Sequence, residues 1–517
     1  MARPFRWIQI SLAVAALPIA VTLAAESVPG TPAAEAVAIH TEAARAVRGK
    51  VAVAGRIIAY TVTPGTLIIR DGNGEPIASM FYVAYVADRS TRAPERPLTF
   101  LFNGGPGSSS MFLHLGSIAP VRIEFPESTA IPPAPYRLVE NPYAMLDRTD
   151  MVFLDLVGGG LSRTLGKAKE SDFWSVDKDI DSFARAIRRY LTLNRRWNSP
   201  KYLFGESYGT TRAAGLAYKL GTAEGGGIKL NGVILLGVNL NHGIYQPGYD
   251  EAYISWMPSY AATAWYHNRL ANRPVKLEPF LSEVRDWARG PFAQVLAKGY
   301  DATAGEKLQI ARQYSAYTGL PESLVLDANL RIEQATFRKQ LLRDLGLTVG
   351  RLDSRFTGRD ADSQGGVPEY DATSSFNTGP FVTVLNDYLF GTLGYKTDLE
   401  YRPHNYGNIQ GRWDRSHTGP SGAKMPLANV AIDLSQAMRE NRSLQVLIMN
   451  GYYDLATPFF KAEYDVKHMP IDVGLQGNIT FSYFESGHMI YTNPAVMGEF
   501  KAVLDRFYDR ESGKPAP

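Results

Sequence analysis

Gly205-Glu206-Ser207-Tyr208-Gly209 decides the reading of this chain, with Lys201-Tyr202-Leu203-Phe204 before it and Thr210-Thr211-Arg212-Ala213-Ala214 after it. The run over 201–204 reads as a strand and 210–220 as a helix. A serine between them, flanked by glycines, sits where a strand turns sharply into a helix. Neighbours without a Cβ let strand and helix approach closely and leave the serine hydroxyl exposed on a strained turn. Such a serine is a candidate nucleophile, and a nucleophilic serine needs a base and a group to orient that base.

Short apolar strands recur around this turn. Residues 98–102, 151–154 and 232–236 are continuous β-type runs, as parallel strands buried on both faces should be. Ile180, Phe183, Ala184, Ile187, Tyr190 and Leu191 share one helical face. Upstream, 55–62, 66–70 and 77–86 read as an antiparallel entry ribbon. Asp71-Gly72-Asn73-Gly74 supplies its hairpin turn. After Asn241 the rhythm gives way to helical patterns over 279–298, 304–317 and 332–345, then resumes with strands at 444–449 and 479–484 and a helix at 494–508. The expected architecture is therefore α/β: a mostly parallel central sheet with helices on both faces, interrupted by an inserted, mainly helical cap. The divisions are 50–240 for the first part of the core, 241–430 for the cap and 431–517 for the second part.

The first 25 residues read as an export signal. Arg3 and Arg6 precede an apolar stretch from 7 to 23, and Ala24-Ala25 suit cleavage. Residues 26–49, Ala-rich and unpatterned, read as a tether. No later segment has the ~20 apolar residues that cross a bilayer, so an exported protein, periplasmic or secreted, without an integral membrane span is expected.

Composition excludes whole classes of function. The chain of 517 residues has 54 Lys+Arg against 51 Asp+Glu, a formal charge of +3 too even for a nucleic-acid binder that works by counterion release. It has no cysteine, which removes disulfide frameworks, thiolate catalysis, Fe–S clusters and Cys-ligated zinc. The eight histidines are scattered and form no metal-binding spacing, so neither metal nor cofactor is expected.

Serine sites on such a strand–turn–helix follow the chain order Ser, then Asp or Glu, then His. Only His468 and His488 lie in the resumed core. His488, in Glu485-Ser486-Gly487-His488, follows a strand, whereas His468 lies in a charged stretch with no strand before it. Asp454 trails the strand at 444–449, where sites of open α/β sheets form; Asp465 is the alternative. Asn103-Gly104-Gly105-Pro106-Gly107-Ser108-Ser109-Ser110 follows the strand at 98–102 and lacks the Gly-Lys-Ser/Thr ending of a phosphate loop. Its backbone N–H groups suit an oxyanion, with Gly105 and Tyr208 as the natural donors. In the cap, Trp256, Tyr260, Trp265 and Tyr266 either line a pocket or pack. Arg351-Leu352-Asp353-Ser354-Arg355 reads as an ion-paired loop.

Taken together these motifs resemble the serine carboxypeptidase family of α/β-hydrolases, in a bacterial-type exported form. The resemblance covers most of 50–240 and 430–517. It implies an α/β-hydrolase fold, and Ser207 as nucleophile, His488 as base and Asp454 as orienter. It implies Gly105 and Tyr208 as oxyanion hole, and Asn103, the Gly104 amide and Glu206 as the clamp on a peptide's free terminal carboxylate. The implied activity is release of C-terminal residues from peptides through an acyl-enzyme. The alternatives are an acyltransferase or esterase on the same scaffold, and a non-catalytic binding protein. A carboxyl that binds a carboxylate must hold a proton, so Glu206 should titrate high. Where the family has a second Glu to share that proton, this chain aligns His114, expected either to offer an imidazolium to the clamp or to pack as an ordinary helix residue. The family's Pro-Val-Gly-x-Gly-Phe-Ser loop is Leu156-Val157-Gly158-Gly159-Gly160-Leu161-Ser162 here; without its Pro it should be slacker and alter the shape of the substrate pocket.

Overall fold

The computed structural model describes residues 42–88, 95–127, 129, 133–409 and 411–511. The export segment expected at 1–25, and 26–41 of the tether, lie outside the described residues.

One sheet organises the chain. Its main strands are β1 (Val47–Val53), β2 (Arg56–Arg70), β3 (Pro76–Ala87), β4 (Leu98–Phe102), β5 (Asp150–Leu154), β6 (Lys201–Glu206), β7 (Gly232–Leu236), β8 (Gln445–Gly451) and β9 (Ile479–Phe484). In space they run β1-β2-β3-β5-β4-β6-β7-β8-β9, and Arg163–Thr164 adds a short strand beside β3. From β5 to β9 every pairing is parallel, while β1, β2 and β3 form the antiparallel ribbon. Two expectations change here. The stretches at 55–62 and 66–70 are a single strand that runs straight through Pro64-Gly65. The tether expected to reach residue 49 stops short of it, because Val47, Gly49, Val51 and Val53 alternate as β1. Glu42 also anchors to Arg189 at 2.7 Å.

The parallel strands are buried on both faces. Tyr202, Phe204, Ile234, Leu236, Leu447 and Met449 enter one apolar cluster, and Leu203, Val233, Leu235, Val446 and Ile448 enter the other. That is the two-residue alternation of a strand expressed on a sheet with no wet face. The helices α1 (Val176–Leu193) and α2 (Tyr208–Gly221) cover the second face. Among the described residues, 237–444 add no strand to this sheet. Its helices include α3 (Glu251–Tyr266), α4 (Ala304–Thr318) and α5 (Ala372–Asn386). α3 and α4 build a third apolar cluster, into which Tyr452, Tyr453 and Phe459 from the region after β8 also pack. The last helix, α6 (Met497–Glu511), returns to the first face of the sheet. No described helix is long and apolar enough to cross a membrane.

Candidate active site

The turn between β6 and α2 is as tight as its sequence demands. Ser207 has φ +61° and ψ −129°, a region that side chains with a Cβ rarely enter. Its N–H donates to the Leu236 carbonyl at 2.9 Å. A Cβ on Gly205 would stand 2.0 Å from the Gly209 oxygen, and one on Gly209 would stand 2.7 Å from the Phe102 oxygen. Backbone occupies both places, so only glycine lets strand, turn and helix close on one another.

Beside this turn lies the Asn103–Ser110 loop, which leaves the carboxyl end of β4. A Cβ on Gly104 would meet the Tyr208 nitrogen at 2.4 Å, so loop and turn touch through bare backbone. An internal strut fixes the loop. Arg212 donates to the Asn103 carbonyl at 2.7 Å, pairs with Asp179 of α1 at 2.7 Å, and stacks over Phe183. Both members of the pair are buried; removing one partner of such a pair typically costs about 3–5 kcal/mol. Nothing in the spacing of Arg212 marks it as part of the site.

His488 and Asp454 arrive from the ends of β9 and β8. His488 Nδ1 lies 2.7 Å from Asp454 Oδ2, and both residues are buried. The Asp454 carboxylate also accepts from the N–H groups of Ala456 (2.7 Å) and Thr457 (2.9 Å) and from the Thr457 hydroxyl (2.6 Å). Burial works against a charged ring at His488, but the Asp454 and Glu206 carboxyls outweigh it and raise the imidazole above its ordinary pKa. The alternative acid, Asp465, is elsewhere: it pairs with Lys461 and accepts from the Leu240 and Asn241 N–H groups.

A cavity of about 870 Å³ brings these parts together. Asn103, Gly104, Gly105, Glu206, Ser207, Tyr208 and His488 all line it. Glu206 is buried, and desolvation pushes its carboxyl up to about 7 against the opposing pull of His488 and of hydrogen bonds from Tyr491 and Asn103. Tyr491 was not legible in sequence. Its hydroxyl donates to Glu206 Oε2 at 2.7 Å, from a single 3-10 turn three residues beyond His488.

His114 does not join this group, which corrects the expectation that it could serve the clamp. The short helix Met111–Leu113 passes into a wider turn over His114–Ile118. The ring lies against the sheet, 2.8 Å from the Tyr85 hydroxyl and stacked on Phe153. Burial alone lowers its pKa to about 3, so the ring is neutral and carries no charge for the clamp. Phe112 faces the cavity in its stead. The loop at 156–162, expected to change the pocket, is also absent from the cavity wall; its Gly160 exchanges both backbone hydrogen bonds with Arg402. Of the cap aromatics, Trp256 lines the cavity, whereas Tyr260 is buried and stacked on Phe337.

Known proteins similar to this chain include the following. Residues 71–274 match the sequence model of the family described as serine carboxypeptidase. Serine carboxypeptidase-like 20 of Arabidopsis thaliana is 27% identical over 171 residues, 32% of this chain and 33% of that protein, so the match spans about a third of the length of that relative. Among solved structures, Kex1(Δ)p of Saccharomyces cerevisiae, a prohormone-processing carboxypeptidase, superposes with a TM-score of 0.51 at 13% identity, over 87% of this chain and 92% of that one. The chain has the α/β-hydrolase fold, and its sequence likeness supports kinship with the serine carboxypeptidases.

Proposed function

We propose that this protein is an exported serine carboxypeptidase, working through Ser207, His488 and Asp454. His488 takes the proton of the Ser207 hydroxyl as that oxygen attacks the last peptide carbonyl. Asp454 holds the ring with its proton on Nδ1 and balances the imidazolium. The Gly105 and Tyr208 amides receive the oxyanion. His488 then gives its proton to the leaving nitrogen, and water releases the acyl group by the same steps in reverse order.

The observation that carries the reading is Glu206: a buried carboxyl pushed up to about 7, so that it holds its proton below neutrality, in the same cavity as Ser207 and His488. A protonated carboxyl donates to a terminal carboxylate where an ionised one repels it, and the Asn103 side chain and Gly104 amide add donors to the clamp. The test compares a blocked peptide with its C-terminally amidated twin. The free acid should be cleaved at least about 100-fold faster in kcat/KM, a loss in line with charge-assisted hydrogen bonds left unmade. Equal rates would mean an idle clamp and would favour an esterase or acyltransferase. Failure of an active-serine phosphonate to label Ser207 would favour a binding protein.

The sign of the pH dependence follows from which form works. Glu206 acts when neutral, so kcat/KM on free-acid peptides should fall as pH rises through about 7. His488 acts when neutral too, so activity should also fall toward acid, from above the usual histidine range. The two groups share a field, and the limbs belong to the pair. Tyr491 donates to the ionised form of Glu206; Tyr491→Phe should raise that pKa and carry the alkaline limb upward. An alkaline limb that persists unchanged in Glu206→Gln would show that another group sets it.

A further inference from the structure

The charges on the cavity wall do not balance. Glu206 is the one acid among the described lining residues, with its carboxyl pushed up to about 7 by burial, while two cationic side chains, Arg351 and Arg415, line the same cavity. Arg351 belongs to the segment that reads in sequence as an ion-paired loop. In the structure only part of that reading holds, because Asp353 is bound by Arg355 at 2.6 Å. Among the described residues, neither the Arg351 nor the Arg415 side chain has an ion pair or hydrogen bond. Yet the backbone beneath Arg351 is firmly held. Its N–H donates to Asp371 at 3.0 Å, its carbonyl accepts from Leu455 at 3.1 Å, and the next carbonyl, of Leu352, accepts from His488 N–H at 2.6 Å. The cation thus sits on backbone that is hydrogen-bonded to that of the proposed base, and its field reaches His488, Tyr245 and Tyr406.

Two further donors on this wall lack acceptors. The Trp256 indole N–H and the Gln334 amide nitrogen are both buried without a partner. An indole N–H can only donate, and a buried donor left unmatched is costly unless a ligand completes it. The two unpaired cations with these donors call for a ligand that carries negative charge, while the unmatched amide oxygens of Asn239 and Asn377 on the same wall take its donor groups. The terminal carboxylate is already provided for by Asn103, Gly104 and Glu206, so a second anionic group is wanted.

We propose that the cavity selects peptides with an acidic side chain in one of their last two residues, and that Arg351 is the residue that reads it. This deepens, and rests on, the carboxypeptidase reading. The experiment uses blocked peptides that differ only by Glu against Gln, placed in turn at the last and the penultimate position. At one of the two positions kcat/KM for Glu should exceed that for Gln by about tenfold or more, as for a charge-assisted hydrogen bond, and the ratio should shrink with added salt. In Arg351→Gln the ratio should fall toward one, and in Arg351→Glu a Lys peptide should overtake the Glu peptide. Equal handling of Glu and Gln at both positions by the unaltered protein overturns the proposal, as does a ratio that survives Arg351→Gln. In both of those results the Gln peptides are still cleaved and the carboxypeptidase reading stands. An unaltered protein that cleaves none of the peptides overturns that reading instead, and this proposal with it.

Discussion

Ser207→Ala is expected to abolish turnover, lowering kcat by about four to six orders of magnitude while leaving peptide binding nearly intact. The alanine keeps the Cβ, so the backbone at φ +61° stays as strained as before and the variant should fold and melt like its parent. What it loses is the proposed attacking oxygen, with the proposed oxyanion amides and clamp left in place. Ser207→Gly provides the complementary measurement. Glycine enters this region freely, and relief of about 1–3 kcal/mol of strain exceeds the roughly 0.4–1 kcal/mol that glycine costs through the unfolded chain. The glycine variant should therefore be as inactive as the alanine variant yet melt at a higher temperature. Stopped assays with a blocked peptide and thermal melts of the three proteins check both halves. An alanine variant that retains peptidase activity would remove Ser207 from the chemistry, and a glycine variant less stable than alanine would mean that the turn stores no strain.

The parts of the site that were legible in sequence are those fixed by local geometry. A serine between glycines that no side chain could replace, at the seam of β6 and α2, announces itself because the constraint is backbone against backbone within five residues. The parallel strands were legible for the same reason: burial on both faces leaves an unbroken apolar run. His488 and Asp454 followed from chain order and strand ends, and the structure brings their side chains together. The less regular partners were not visible. Tyr491 reaches Glu206 from a 3-10 turn of three residues, too short to show a period, and Arg212 steadies Asn103 across a distance of 109 residues in the chain. His114 misled because adjacency to a motif says nothing of direction. The widened turn at 114–118 sends its ring to Tyr85 and Phe153, a choice set by helix geometry beyond what spacing encodes. Arg351 was read by its charged neighbours, but the Asp353 carboxylate is taken by Arg355.

Asp454→Asn carries the second large effect, and the hydrogen bonds around the carboxylate dictate its form. Oδ1 accepts from two backbone N–H groups, of Ala456 and Thr457, whereas Oδ2 faces the Thr457 hydroxyl and His488 Nδ1. An asparagine must keep its oxygen toward the two fixed N–H donors. Its NH₂ therefore points at His488 and the hydroxyl, which can rotate to accept. The imidazole then meets a donor at Nδ1 and answers by carrying its own proton on Nε2, the nitrogen that should be taking one from Ser207. The wrong tautomer, in an otherwise undisturbed site, is expected to cost about 10⁴-fold in kcat. The variant also loses the main charge that raises the His488 pKa against the pull of burial, so the acid limb of its residual activity should move to lower pH. Both effects are read from one pH–rate profile on a free-acid peptide. An asparagine variant within tenfold of its parent, with the acid limb in place, would mean that His488 takes its orientation from Thr457, which lies 3.0 Å from the same nitrogen, and that Asp454 has no part in catalysis.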